Sequence, residues 1–204
     1  MKKLLFIVIV LFCLSANAQD IIKADKNRSI ISLDEVKKDM QQYQYKPTSI
    51  KYFRIDYQGN FHSMGSDRYI LYYDNINKES LCKSYYYHLA KLYNSPRNSI
   101  EKKDSSIIVV NGYAESMAVV YGNPVSFTYK MIFSFKDNKV KISSPQVIEI
   151  WIRFMGRDIK VKEPKTWMSK IFAKEPTCIN QIENFFNRHI DIINYDVKKS
   201  DYWW

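Results

Sequence analysis

The stretch VSFTYKMIFSFKDNKVKI, residues 125–142, decides the fold of this chain. From Val125 to Phe135 every second side chain is apolar or aromatic, and the residues between them are mostly polar. This alternation predicts a half-buried β-strand, because successive side chains of a strand point to opposite faces. Asp137-Asn138 then predicts a tight turn, and residues 139–142 predict a returning strand. The stretch therefore predicts an antiparallel hairpin with one buried face.

Helical spacing of apolar residues appears on both sides of this hairpin. Upstream, the spacing predicts a helix over residues 78–93, with Leu81, Tyr85 and Leu89 on its apolar face. Downstream, it predicts a longer helix in the last quarter of the chain, built on Ile179, Ile182, Phe186, Ile190 and Ile193.

Further strand-like segments are recognisable at residues 68–73, 99–103, 107–121 and 139–154. Asn111-Gly112 predicts a bulge or bend in the third of them, and Pro145 predicts an edge position or a bulge in the fourth. Together these elements predict an α+β domain, in which an antiparallel sheet of about five strands carries two helices on one face.

Three stretches carry a resemblance to a known family: YYHLAKLYN at 86–94, IIVVNG at 107–112 and FSFKDNKVK at 133–141. They resemble secreted Bacteroidota proteins that carry a domain of unknown function with a TATA-binding-protein-like fold. The order strand, helix, four strands, helix is similar to half of that fold. The resemblance covers about residues 68–155, and it implies the fold without implying any catalytic residue.

The N-terminus has the three parts of a secretory signal peptide. A basic start at Met1-Lys2-Lys3 precedes an apolar run, Leu4–Leu14, and then the small residues that a signal peptidase reads, 15–18. The apolar run is shorter than the roughly 20 residues that a membrane-spanning helix needs. We therefore expect cleavage after Ala18 and a secreted or periplasmic chain with no transmembrane segment. Phe12 before Cys13 disfavours lipid attachment, which requires a small residue there.

The sequence divides into a signal peptide (1–18), an N-terminal extension (19–65), an α+β domain (66–198) and an aromatic tail (199–204). The 204 residues carry a formal net charge of +10. A basic protein outside the cytoplasm is not expected to meet nucleic acid. Its expected partners are an envelope glycan, a lipid headgroup or an acidic protein. The alternative is that the charge serves solubility alone.

Catalytic and cofactor motifs are not recognisable, and three scattered histidines predict neither a metal site nor another cofactor. Cys82 and Cys178 remain after signal cleavage, and in an oxidising compartment they form a possible disulfide. The alternative is a pair of buried free thiols. A second functional hypothesis uses either cysteine in a thiol-dependent hydrolase or redox protein.

Alternation also predicts what the other face of the sheet displays. With the aromatic side of residues 125–135 buried, Ser126 and Thr128 point outward together with a basic set. The candidate binding residues on that face are Lys130, Lys136, Lys139, Lys141, Trp151 and Arg153. The basic character of this face predicts that the protein is a non-enzymatic module that binds an anionic ligand there. The alternative is a solvated sheet face whose lysines discourage edge pairing.

Overall fold

A computed structural model describes residues 30–31, 51–65, 69–93 and 95–199 of the chain. The predicted signal peptide with its Ala18 cleavage site, and the aromatic residues 202–204, lie outside the described residues and remain predictions. Within the described residues the strands are β1 (Ile30–Ile31), β2 (Phe53–Ile55), β3 (Phe61–Ser63), β4 (Ile70–Tyr72), β5 (Ile100–Lys103), β6 (Ile107–Val120), β7 (Asn123–Lys136), β8 (Lys139–Ile142), β9 (Gln146–Phe154) and β10 (Arg157–Val161). The helices are α1 (Lys78–Leu92), α2 (Pro96–Ser99), α3 (Pro164–Phe172) and α4 (Pro176–Lys199).

Eight strands form one sheet around β7. Strand β6 pairs with β7 along one edge, while β9 and β8 share the other edge. Strand β4 extends the sheet beyond β8, β10 extends it beyond β9, and β5 and β1 both pair with β6. All of these pairings are antiparallel except that of β1 with β6. The predicted α+β class is confirmed, but the prediction of about five strands and two helices is too low.

Besides β1, which the sequence does not predict, two of the additional strands have local causes. The segment 139–154 contains two strands rather than one, because Pro145 lies in the break between β8 and β9. Met155-Gly156 then makes a hairpin turn that adds β10, with Arg157 opposite Phe154. Asn-Gly and Asp-Gly are the usual signals of such a turn, and Met-Gly is not among them.

The alternation in β7 is confirmed by the burial of its aromatic side. Tyr85 of α1 packs edge-on against Phe135, with ring centroids 5.2 Å apart. Phe185 of α4 packs in the same way on Phe127, at 5.3 Å. Both predicted helices are therefore confirmed, and both cover the same face of the sheet. We call the opposite side the outer face. Among the described residues, no helix is both long and apolar enough to cross a membrane.

The bulge in β6 lies after the predicted position. Asn111 and Gly112 pair in regular register with β7, and the register shifts between Ala114 and Ala118. Gly112 has a packing role instead: a Cβ atom there would lie 2.3 Å from Cζ of Tyr129. The glycine therefore gives the tyrosine ring room on the buried face.

A polar stripe on α4 binds the hairpin of β2 and β3. Asn187 accepts hydrogen bonds from the backbone amides of Tyr52 and Phe53, at 2.7 and 2.9 Å, and donates one to the Phe53 carbonyl at 3.0 Å. Glu183, one turn earlier, accepts from the Ile55 amide at 2.8 Å. Residues 51–65, which the sequence assigns to an N-terminal extension, thus contribute Tyr52, Phe53 and Ile55 to the hydrophobic core.

Candidate functional site

The six candidate residues all belong to the outer face, but the register separates them into two groups. Trp151 lies opposite Ser126 near the start of β7, whereas Lys139 lies opposite Lys136 at its end. Ten residues separate Ser126 from Lys136, which corresponds to about 34 Å along a strand. Lys130 lies between the groups and is half-buried. The candidate set is therefore not one continuous surface.

The group at the end of β7 is what we call the lysine patch: Lys136, Lys139, Lys141, Tyr69 and Tyr72. Lys136 and Lys139 face each other directly across the hairpin, and Tyr72 of β4 lies next to Lys139. The Lys141 ammonium lies 5.4 Å from the centroid of the Tyr69 ring. All three lysines are exposed, and none has an acidic partner within ion-pair distance among the residues that the structure describes. The patch combines uncompensated positive charge with an exposed aromatic side chain.

The turn beneath the patch is fixed by hydrogen bonds to the segment before α1. The Asn138 carbonyl accepts from the amide of Tyr73, and its side-chain oxygen accepts from the amide of Ile76, both at 2.8 Å. The carboxylate of Asp137 accepts from the amide of Lys78 at 2.7 Å. These bonds tie the turn between β7 and β8 to the start of a helix, so Lys136 and Lys139 are held on a fixed backbone.

The group near the start of β7 has little free positive charge. The guanidinium of Arg153 donates to both carboxylate oxygens of Asp158, at 2.9 and 3.3 Å, and lies 3.9 Å from Glu115. Lys160 forms an ion pair with Glu149 at 2.6 Å. Since Arg153 and Lys160 both have acidic partners, these two cations do not continue the lysine patch.

Ser126 and Thr128 are buried, contrary to the prediction that they point into solvent. Trp151 lies opposite Ser126, and Tyr113 lies opposite Thr128. The two rings pack edge-on with centroids 5.8 Å apart. Large aromatic neighbours on adjacent strands thus flank the two small side chains, which alternation alone does not reveal.

Cys82 and Cys178 are separate free thiols in the structure, and both are buried. The structure thus has the pair as two buried free thiols, which was the alternative to a disulfide between them. Burial raises the pKa of Cys82, and it raises the pKa of Cys178 to about 12. A nucleophilic thiol needs the opposite shift, because the thiolate is the reactive form.

The buried histidines do not assemble a metal site. His189 lies in the core, where its Nε2 is 3.1 Å from the hydroxyl of Tyr93. Burial lowers its pKa to about 4 and lowers the pKa of His88 as well. Within the described part of the chain, no group of three or more His, Cys, Asp or Glu side chains is placed to hold a metal ion.

No protein-family model and no curated protein matches the sequence. Among solved structures, the chain is similar to a TBP-like protein from Parabacteroides distasonis, with a TM-score of 0.41 and 14% sequence identity. The similarity covers 61% of this chain and 88% of that protein. The α+β class assigned here rests on the strands and helices described above.

Proposed function

We propose that this protein is a non-enzymatic binding module of the cell envelope or the secreted fraction, and that the lysine patch contacts an anionic ligand. The signal-peptide pattern supports the location, and an anionic glycan, a lipid headgroup or an acidic protein would supply the charge. The observation that carries the proposal is the direct pairing of Lys136 with Lys139, without an acidic partner for either among the described residues.

This pairing has a cost for the fold. Like charges directly opposite each other on neighbouring strands destabilise a sheet by roughly 0.2–1 kcal/mol. An anion bound between Lys136 and Lys139 would remove the repulsion. Lysine suits this role, because its ammonium acts as a compact point charge for phosphate, sulfate or carboxylate. The exposed ring of Tyr72 beside them offers an apolar contact to a sugar or a headgroup.

Replacing Lys136, Lys139 and Lys141 together with glutamine tests the proposal. Suitable probes are heparin fragments for a sulfated glycan, polyglutamate for an acidic protein and glycerol phosphate for a lipid headgroup. We expect at least one probe to bind the unsubstituted chain and to lose affinity about tenfold or more in the variant, from three lost charge contacts. Binding should also weaken with salt, because exposed charges are screened beyond about 8 Å at physiological ionic strength.

The matched control replaces Lys162, Lys170 and Lys174 with glutamine. These lysines are exposed on α3 and in the connections beside it, and the substitution makes the same change in net charge. Affinity that falls equally in both variants would show a general charge effect and contradict a site at the lysine patch. A melting temperature that is unchanged or slightly higher in the patch variant would separate lost binding from lost folding.

The thiol-dependent alternative is tested by alkylation. We expect Cys82 and Cys178 to stay unmodified by iodoacetamide in the folded protein at neutral pH, since both are buried and their pKa values are raised. Both should react in guanidinium chloride, with mass spectrometry locating the adducts. Rapid modification of either cysteine in the folded chain would favour the hydrolase or redox hypothesis instead.

A further inference from the structure

Two hairpin turns lie side by side at the end of the sheet opposite the lysine patch. One joins β6 to β7 at Tyr121-Gly122, and the other joins β9 to β10 at Met155-Gly156. Strands β7 and β9 are neighbours, with Val125 opposite Ile152. Gly122 lies three residues before Val125, and Met155 lies three residues after Ile152. The two turns are therefore level with each other, and we call residues 119–124 and 153–157 the paired tips.

The backbone of both turns is left-handed. Tyr121 and Gly122 have φ angles of 48° and 78°, and Met155 and Gly156 have φ angles of 48° and 75°. Two consecutive residues with positive φ define a type I′ turn, whose first position favours Asn, Asp or Gly. Bulky side chains are strained in this region. The chain thus has a tyrosine and a methionine where local geometry favours asparagine.

Packing within the fold does not explain these two side chains. Tyr121 is 64% exposed and Met155 is 86% exposed, the largest exposure among the large hydrophobic residues described. Phe154 and Val119 beside them are also exposed. Strained positions that make few contacts within the fold are a recognised sign of a functional constraint.

The charge at the paired tips is positive. Residues 119–124 and 153–157 contain two arginines and no acidic residue. Arg153 is paired with Asp158, whereas Arg157, directly after the second turn, is exposed and has no ion pair among the described residues. Apolar side chains at the apex with a cation behind them match the layered order of an anionic lipid surface, where acyl chains lie below charged headgroups.

We propose that the paired tips insert into the interface of a lipid bilayer that contains anionic headgroups. Tyr121, Phe154 and Met155 enter the boundary between headgroups and acyl chains, and Arg157 contacts a headgroup phosphate. A convex tip of few residues is too small for a stable protein interface, which needs about 800 Å² and 20–30 residues on each side. Membrane binding strengthens with buried apolar area and with attraction to anionic lipids, so a few inserted apolar side chains beside a basic one would give weak, reversible binding.

This inference goes beyond the proposed function and does not depend on it. The 14 residues of β7 separate the tips from the lysine patch by about 44 Å along the strand. A flat bilayer that contacts only the tips therefore does not reach the lysine patch. The two surfaces can be tested independently for this reason.

The test is co-sedimentation of the chain beginning at Gln19 with lipid vesicles, using a variant with Tyr121→Asn and Met155→Asn. We expect the unsubstituted chain to bind vesicles of phosphatidylcholine with phosphatidylglycerol. The affinity of the variant should be lower by about tenfold or more, since two apolar anchors are lost. Asparagine tolerates positive φ, so the variant should melt at the same temperature or higher. Arg157→Gln should weaken binding to these vesicles more than to phosphatidylcholine alone.

The matched control carries Tyr57→Asn and Ile148→Asn, two exposed hydrophobic residues outside the tips. It should bind vesicles as the unsubstituted chain does. Equal binding by the tip variant, or equal loss in the control, would overturn the proposal. Loss of binding confined to the variant of the three patch lysines would do the same. A concentration-dependent dimer that the tip substitutions dissociate would assign the tips to self-association and also overturn it.

Discussion

Replacing Asn187 with alanine is expected to lower the free energy of unfolding by about 3 kcal/mol, because it leaves buried backbone groups without partners. The carboxamide of Asn187 binds the amides of Tyr52 and Phe53 and the carbonyl of Phe53, and it also donates to the Glu183 carbonyl at 2.9 Å. Alanine favours a helix more than asparagine does, so helix propensity would act in the opposite direction. Urea unfolding followed by circular dichroism measures the change, and we expect the melting temperature to fall by roughly 10 °C.

Asn180→Ala provides the control on the same helix. Asn180 is exposed, and alanine there should change stability by about 0.5 kcal/mol or less. If Asn187→Ala were no more destabilising than Asn180→Ala, the polar stripe of α4 would not be what holds the hairpin of β2 and β3 in place.

Acidification is expected to destabilise the protein well before its carboxylates are protonated. Burial holds the pKa of His189 at about 4, compared with an ordinary value of 6.5. Between these values the unfolded chain binds a proton at this histidine and the folded chain does not. Stability is therefore fully present above pH 6.5 and is lost as the pH falls toward 4, by about 3 kcal/mol over the whole interval. The lowered pKa of His88 acts in the same direction.

His189→Gln isolates this contribution, because glutamine can keep a hydrogen bond to Tyr93 and does not titrate. Urea unfolding measured across the interval should give a shallower pH dependence in this variant than in the unsubstituted protein. An unaltered slope in His189→Gln would mean that other groups cause the acid sensitivity.

Sequence predicts best the parts of the fold in which apolar residues repeat at a single regular spacing. Residues from Val125 to Phe135 alternate except at Ile132, and the apolar face of α4 repeats every three to four residues, so burial of the apolar side in each follows from local spacing. Asp137-Asn138 has the composition of a tight turn and forms one. In each case the information is contained within a few neighbouring residues.

Other features depend on partners that are distant in sequence. Asn187 is polar and looks solvent-exposed until the backbone of Tyr52 is placed against it. Alternation assigns Trp151 and Lys136 to the same outer face, but only the register of β9 on β7 shows that they lie far apart. Met155 does not predict a turn, because methionine rarely adopts the left-handed backbone conformation that it has here. Pairing between strands, and not propensity, decides these positions.

Strand β7 also determines how the molecule can come apart. Its backbone is hydrogen-bonded to β6 along one edge and to β9 and β8 along the other, so no edge of it is left open over most of its length. Its amide hydrogens are divided between these two edges, so complete exchange of the strand with solvent deuterium requires the sheet to open on both sides. Loss of the neighbours on one edge would leave about half of the β7 amides without partners. The sheet therefore behaves as one cooperative unit, in which the slowest-exchanging amides report global unfolding.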